Sequence, residues 1–300
     1  MMSVNPLPFR ARRWRLAHGR EVTLGPRGLI MAIVNVTPDS FSDGGLHRDP
    51  GQAHAAALEM LTSGADILDI GGESTRPGAK ALDPGEEIAR VRPVIQALAR
   101  MAERPILSID TYHPETARMA IGEGAHIVND IFGFQGPHDL AGVVAETGAA
   151  ACLMHNGRLR QASSPPGDVV ADQKAYFARS LQVSDDCAIA RERVVLDPGF
   201  GFGKDRAENI ALMADFDRLD RFDLPLMAGT SRKRFLGDVT GRAVSDRDTV
   251  TAATSALLRL KGAAIVRVHA VGPNRDALLL ADAIIAASKA DIAQSTGKSS

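Results

Sequence analysis

The chain has 300 residues, 45% apolar and 24% charged, an ordinary globular balance with ample length to bury a core. Its net charge of −1 argues against a nucleic-acid or anionic-membrane partner, so any bound anion must be held by local residues. Two cysteines rule out a disulfide framework, and the absence of a secretory apolar run or of about 20 consecutive apolar residues makes the chain read as cytoplasmic.

Residues 1–28, rich in arginine between Arg10 and Arg20, precede any strand-like run and read as an extension, in the form of a hairpin or plug across a barrel bottom. Short apolar, β-branched runs follow at 29–36, 66–70, 106–110, 126–130, 149–155, 194–197, 224–228 and 264–269. Most are unbroken, as expected of parallel strands covered on both faces. Between and after them lie amphipathic stretches at 50–63, 84–103, 113–122, 137–147, 169–190, 207–221, 246–261 and 273–289. Several open on proline or aspartate, the usual helix-start punctuation. Gly64, Gly122, Gly148 and Gly262 each stand just before a strand, where a left-handed helix cap is needed. Eight strand–helix units predict an α/β fold, a single-domain (β/α)₈ TIM barrel over residues 29–290, with an open doubly wound sheet as the competing arrangement. The small, polar stretch 291–300 is expected to be a disordered tail.

Polar residues interrupt this pattern at the C-terminal ends of the strands. Asn35, Asp110, Asn129, His155 and Asp197 each close or follow a run; Glu73 to Pro77, Ser231 to Lys233, and Arg267 with His269 mark the others. In a (β/α)₈ barrel these ends meet on the face that carries active sites, so residues far apart in sequence are expected to converge on one pocket. Singly, each has a plainer explanation. Asp110 before Thr111 is suited to capping the next helix, and Asn129 to satisfying a loop amide. Their joint occurrence favours a site.

Two apparent motifs fail on inspection. Gly199 to Lys204 resembles a phosphate loop, but Pro198 and Asp205 stand where Walker A needs glycine and Ser or Thr. Lys204 also takes the third glycine place of a dinucleotide fingerprint. The histidines show no zinc-ligand spacing, and there is no G-x-S-x-G elbow. The glycines flanking Phe200 and Phe202 suit a tight loop that presents an aromatic face.

With these segments assembled, the chain resembles the dihydropteroate synthase family. The resemblance rests on residues 31–45, on Asp69-Ile-Gly-Gly-Glu-Ser-Thr-Arg-Pro-Gly78 and on Leu196-Asp-Pro-Gly-Phe-Gly-Phe-Gly-Lys204. Shorter matches at 108–111, 128–131, 153–155, 229–233 and 266–269 follow in family order. The resemblance implies a barrel enzyme that condenses 6-hydroxymethyl-7,8-dihydropterin diphosphate with p-aminobenzoate in folate synthesis, needs Mg²⁺ and forms a homodimer.

Carried over residue by residue, it implies a pterin held by Asp110, Asn129, Asp197 and Lys233, with Met154 and Arg267 packed on the ring. Asn35 is the implied magnesium ligand, and Arg76, Arg267 and His269 the implied phosphate contacts. Thr75, Pro77, Phe202, Lys233 and Arg234 are the implied aminobenzoate site. Asp110, Lys233, Arg267 and His269 carry the catalytic role on this reading. Two departures stand out: Arg234 replaces a serine of one common family form, and Asn156-Gly157-Arg158 follows His155 in place of the more usual Met-containing continuation. A pterin-dependent methyltransferase domain and a non-catalytic pterin-binding paralogue remain the alternatives; the Ser74 to Gly78 loop and the Arg267/His269 pair favour the synthase.

Overall fold

The computed structural model describes residues 9–36, 50–73, 81–159 and 168–296. Strand β1 (Arg12–Arg15) pairs antiparallel with β2 (Glu21–Leu24) in a separate hairpin. Eight strands then close a barrel: β3 (Leu29–Asn35), β4 (Ile67–Gly71), β5 (Ile106–Asp110), β6 (Ile127–Asp130), β7 (Ala150–Met154), β8 (Val194–Asp197), β9 (Leu226–Ala228) and β10 (Ala263–Val268). Neighbours pair in parallel, and β10 returns to β3 through Ile265 opposite Leu29, which removes the open-sheet alternative.

The surrounding helices are α1 (Pro50–Thr62), α2 (Pro84–Ala99), α3 (Pro114–Gly122), α4 (Leu140–Thr147), α5 (Val169–Asp186), α6 (Arg206–Ala214), α7 (Arg234–Thr240), α8 (Asp248–Leu260) and α9 (Val271–Thr296). The short α7 is additional to the eight-fold alternation. Asp205, which spoils the phosphate-loop pattern, is the N-cap of α6 in a reciprocal capping box with Glu208. Gly64, Gly148 and Gly262 have the positive φ expected of them, but Gly122 does not; it ends α3, and the left-handed residue is Gly124, at φ 113°. Helix α9 continues to Thr296, into the stretch expected to be a disordered tail.

Because side chains alternate along a strand, every second residue faces the barrel interior. The lower interior is apolar: Leu29, Met31, Ile67, Ile127, Ala150, Val195, Met227 and Ile265 pack together. Trp14, Leu16 and Leu24 of the hairpin region belong to the same cluster. The Trp14 indole N–H donates to the Arg193 carbonyl at 3.1 Å, which satisfies the one polar atom of that buried ring. Buried Arg259 ties the extension to the wall, donating to the Gly25 and Ala263 carbonyls at 2.7 and 2.9 Å while pairing with Asp282 at 2.6 Å.

Candidate active site

Moving two residues up turns the interior from apolar to polar on five of the eight barrel strands. Above Ile67 comes Asp69, above Ile106 come Ser108 and Asp110, above Ile127 comes Asn129, above Val195 comes Asp197, and above Ile265 comes Arg267. Residues paired across the strands, such as Asp110 opposite Asn129 and Met154 opposite Asp197, bring these groups level at the C-terminal end. There Asp110, Asn129, Met154, Asp197, Phe202, Lys233 and Arg267 line a single cleft. All seven were singled out as site residues from the sequence.

The floor is an ion network centred on a residue not singled out. The Arg267 guanidinium donates from Nη2 to Asp110 at 2.5 Å and from Nε to Asp69 at 2.6 Å. Asn129 donates to the same Asp69 oxygen at 2.9 Å, while the other Asp69 oxygen is buried with no hydrogen-bond partner among the described residues. Asp69 is fully buried, so it acts on the cleft by holding Arg267 and Asn129 in place. A charged residue inside the otherwise apolar stretch 67–70 is the signal that could have found it. Burial pushes the Asp110 carboxyl above its usual range, the adjacent Arg267 opposes that, and the Asp69 charge adds to it.

The capping explanation for Asp110 does not hold. Thr111 makes the turn, accepting from the His113 N–H at 3.1 Å and donating to buried Glu87 at 2.7 Å. Loop amides are satisfied by Asp130, not Asn129: its carboxylate accepts from the N–H groups of Phe132 and Phe134 at 2.8 and 2.7 Å.

Asp197, at the end of β8, and Lys233, after β9, complete the cleft lining beside Arg267. One Asp197 oxygen accepts from the Gly199 N–H at 2.8 Å, and burial raises its pKa. Burial pushes Lys233 down to about 8, against the pull of Asp197. Its ammonium lies 4.1 Å from the centroid of the Phe202 ring, a cation–π contact. The approach is close: a Cβ on Gly201 would stand 2.9 Å from Lys233 Cδ, and Gly201 has φ +77°, so only glycine suits that position.

His269 lies off the cleft lining. Its backbone N–H donates to Ser231 Oγ at 3.2 Å, and the Ser231 hydroxyl lies 2.9 Å from Nδ1. Burial, with Arg232 and Arg267 nearby, pushes this imidazole down to about 3, so the ring is neutral near pH 7. Arg232, in the same turn, holds a positive φ of 55° and is clamped by two 2.7 Å bonds to Asp248, strain that the fold tolerates beside the cleft. Arg234, the first residue of α7, has a 92% exposed side chain directed at Asp238, and it is not part of the cleft. Lys233 just before it is extended, with ψ 150°, and turns inward instead.

Asn35, at the end of β3, is half-buried and has no side-chain hydrogen-bond partner among the described residues. No cluster of three or more His, Cys, Asp or Glu suited to a metal occurs among the described residues. A lone neutral amide oxygen fits an ion that takes most of its ligands from substrate phosphates and water, as Mg²⁺ does. Thr75, Arg76 and Pro77 lie outside the described residues. No described helix is long and apolar enough to cross a membrane.

A family model described as pterin binding enzyme matches residues 31–269. The dihydropteroate synthase of Escherichia coli strain K12 is 41% identical over 261 residues, covering 86% of this chain and 92% of that protein. The dihydropteroate synthase of Xanthomonas albilineans, solved with 4-aminobenzoic acid, superimposes with a TM-score of 0.84 at 40% identity, covering 92% of this chain and 99% of that one. That of Yersinia pestis, solved in complex with a sulfonamide drug, gives 0.82 at 39%, covering 90% and 98%. With a barrel, a polar cleft at its C-terminal face and a match spanning most of its length, this chain belongs to the pterin-binding enzyme family.

Proposed function

We infer that this chain catalyses the dihydropteroate synthase reaction: it condenses 6-hydroxymethyl-7,8-dihydropterin diphosphate with p-aminobenzoate, releasing 7,8-dihydropteroate and diphosphate in folate synthesis. The observation that carries this is one cleft lined by two carboxylates, a carboxamide and an ammonium, with Met154 and Phe200 as apolar walls. A pterin edge presents ring N–H and amino donors beside a carbonyl acceptor. Asp110 and Asp197 meet the donors, while Asn129 and Lys233 reach the acceptors. Arg267 packs beside the ring, and Arg267, His269 and Arg76 receive the diphosphate arm toward the barrel mouth.

Catalysis on this reading is charge separation. Diphosphate leaves first, and the cation that develops on the pterin methylene is stabilised by the Asp110 carboxylate beneath it. The neutral aryl amine then attacks the methylene and loses its proton to solvent, so no strong base is required. When bound, Mg²⁺ held in part by Asn35 offsets the negative charge of the leaving diphosphate. The aryl amine enters past Phe202, Thr75 and Pro77. The two cysteines are unpaired, in keeping with a cytoplasmic protein, and family resemblance supports a homodimer with Mg²⁺ as cofactor.

Incubating the purified chain with the pterin diphosphate, Mg²⁺ and p-aminobenzoate tests the assignment. Dihydropteroate and diphosphate should form in equal amounts. A chain that transfers only methyl groups, or that binds pterin without turnover, would be the methyltransferase or the non-catalytic paralogue.

Two further outcomes follow from the geometry. Lys233 must be charged to act, and burial has lowered it to about 8, so kcat/KM should fall as pH rises through about 8. Asp110 must be ionised, so activity should also fall as pH drops, at a pH above the ordinary carboxylate range. A flat profile up to the usual lysine pKa would contradict the assignment of Lys233. Arg234→Ala, at a side chain 92% exposed, should change the KM for p-aminobenzoate by less than about two-fold. Sulfonamides should inhibit competitively against p-aminobenzoate, and unaltered turnover at high sulfonamide would refute that.

A further inference from the structure

Lys204 closes the glycine loop after β8, and its ammonium is buried. Nζ donates to the Gly199 carbonyl at 2.9 Å and lies 3.4 Å from the Phe202 carbonyl, so it spans the loop from inside. It also lies 2.8 Å from Nδ1 of the fully buried His155. On the far side of that ring, Nε2 is 3.0 Å from an Asp172 carboxylate oxygen on α5.

The proton arrangement follows from the donor inventory. A lysine ammonium only donates, so Nδ1 accepts; Nε2 therefore carries the ring proton and donates to Asp172. A carboxylate, a neutral imidazole and an ammonium are thus lined up behind the loop, and the Asp172 charge compensates the buried cation through the ring.

The loop needs such a tie. Gly199, Gly201 and Gly203 have φ of +64°, +77° and +62°, a backbone that is flexible when unfolded and costly to order. Its two aromatic residues are held differently. Phe200 is buried, stacked at 6.3 Å from Phe216 and 6.2 Å from Phe235. Phe202 is half-exposed at the cleft, with the Lys233 ammonium at 4.1 Å and the Arg158 guanidinium at 5.4 Å from its ring. The backbone of Phe202 is where Lys204 takes hold.

We propose that Lys204, backed by His155 and Asp172, is a positioning residue that sets the Phe202 wall of the cleft and thereby the affinity for the aryl amine. This rests on the reading of the cleft as one that takes an aryl amine against Phe202.

The test is steady-state kinetics on the full chain. Lys204→Met should raise the KM for p-aminobenzoate about ten-fold, the scale of a misplaced aromatic contact, while kcat and the KM for the pterin diphosphate change by less than about three-fold. Phe202→Ala should show the same split, and the double variant should be little worse than either single one, because both remove one interaction. Asp172→Asn keeps an acceptor for the imidazole and removes only the charge at the partly exposed end of the chain. It should give the same selective rise at about three-fold, and it serves should Lys204→Met fail to fold. Parallel losses in both KM values and kcat, or fully additive effects of Lys204→Met and Phe202→Ala, would overturn the proposal. A wild-type chain that makes no dihydropteroate would instead overturn the reading of the cleft.

Discussion

Asp110→Asn is expected to lower kcat by roughly 10²–10³-fold, the usual cost of deleting one preorganised electrostatic partner of a developing charge. The side chain keeps its shape and its place opposite Asn129, so pterin binding through neutral hydrogen bonds is largely retained. What is lost is the negative charge in a buried site, where charge acts with little solvent screening. The loss should therefore appear in kcat, with the KM for the pterin diphosphate changed much less. A comparable rise in KM at constant kcat would make Asp110 a ground-state contact only.

Arg267→Met is expected to damage both folding and turnover. Arg267 bonds two carboxylates, Asp110 at 2.5 Å and the fully buried Asp69 at 2.6 Å. Removing it leaves two like charges facing each other in the barrel, and breaking a buried pair in this way costs about 3–5 kcal/mol. Thermal unfolding should show a fall in Tm on the order of 10 °C. The Asp110 pKa should rise further, since its opposing cation is gone, so the acid side of the pH profile should move to higher pH. Arg267→Lys keeps the charge but cannot serve two carboxylates with a planar fork, so it should recover stability more than activity. An unchanged Tm in the Met variant would mean that Asp69 and Asp110 do not depend on Arg267.

The barrel and most of the cleft were legible in the sequence because both follow from one periodicity. Unbroken apolar runs mark strands covered on both faces, and polar residues at their last inward positions mark the open end. Asp110, Asn129, Asp197 and Arg267 all occupy such positions.

Asp69 escaped because it stands inside its run, above Ile67 and short of the strand end at Gly71. Extending the inward alternation one layer down finds it. Arg234 and Lys233 show that adjacency in sequence says nothing of direction. The chain turns from extended to helical between Lys233 and Arg234, and the two side chains part company there. Lys204 looked only like a failed phosphate motif, since nothing local shows that a distant histidine, His155, lies beneath it.

On the proposed mechanism diphosphate departs before the amine arrives, and the cleft holds the resulting cation. Positional isotope exchange measures this directly: the pterin diphosphate is labelled with ¹⁸O at the bridge to the pterin methylene and incubated with the protein and Mg²⁺, without p-aminobenzoate. Recovered substrate should carry the label redistributed into non-bridging positions, and Asp110→Asn should suppress that exchange. Label that stays in the bridge, in a protein that forms dihydropteroate normally once p-aminobenzoate is added, would contradict the account.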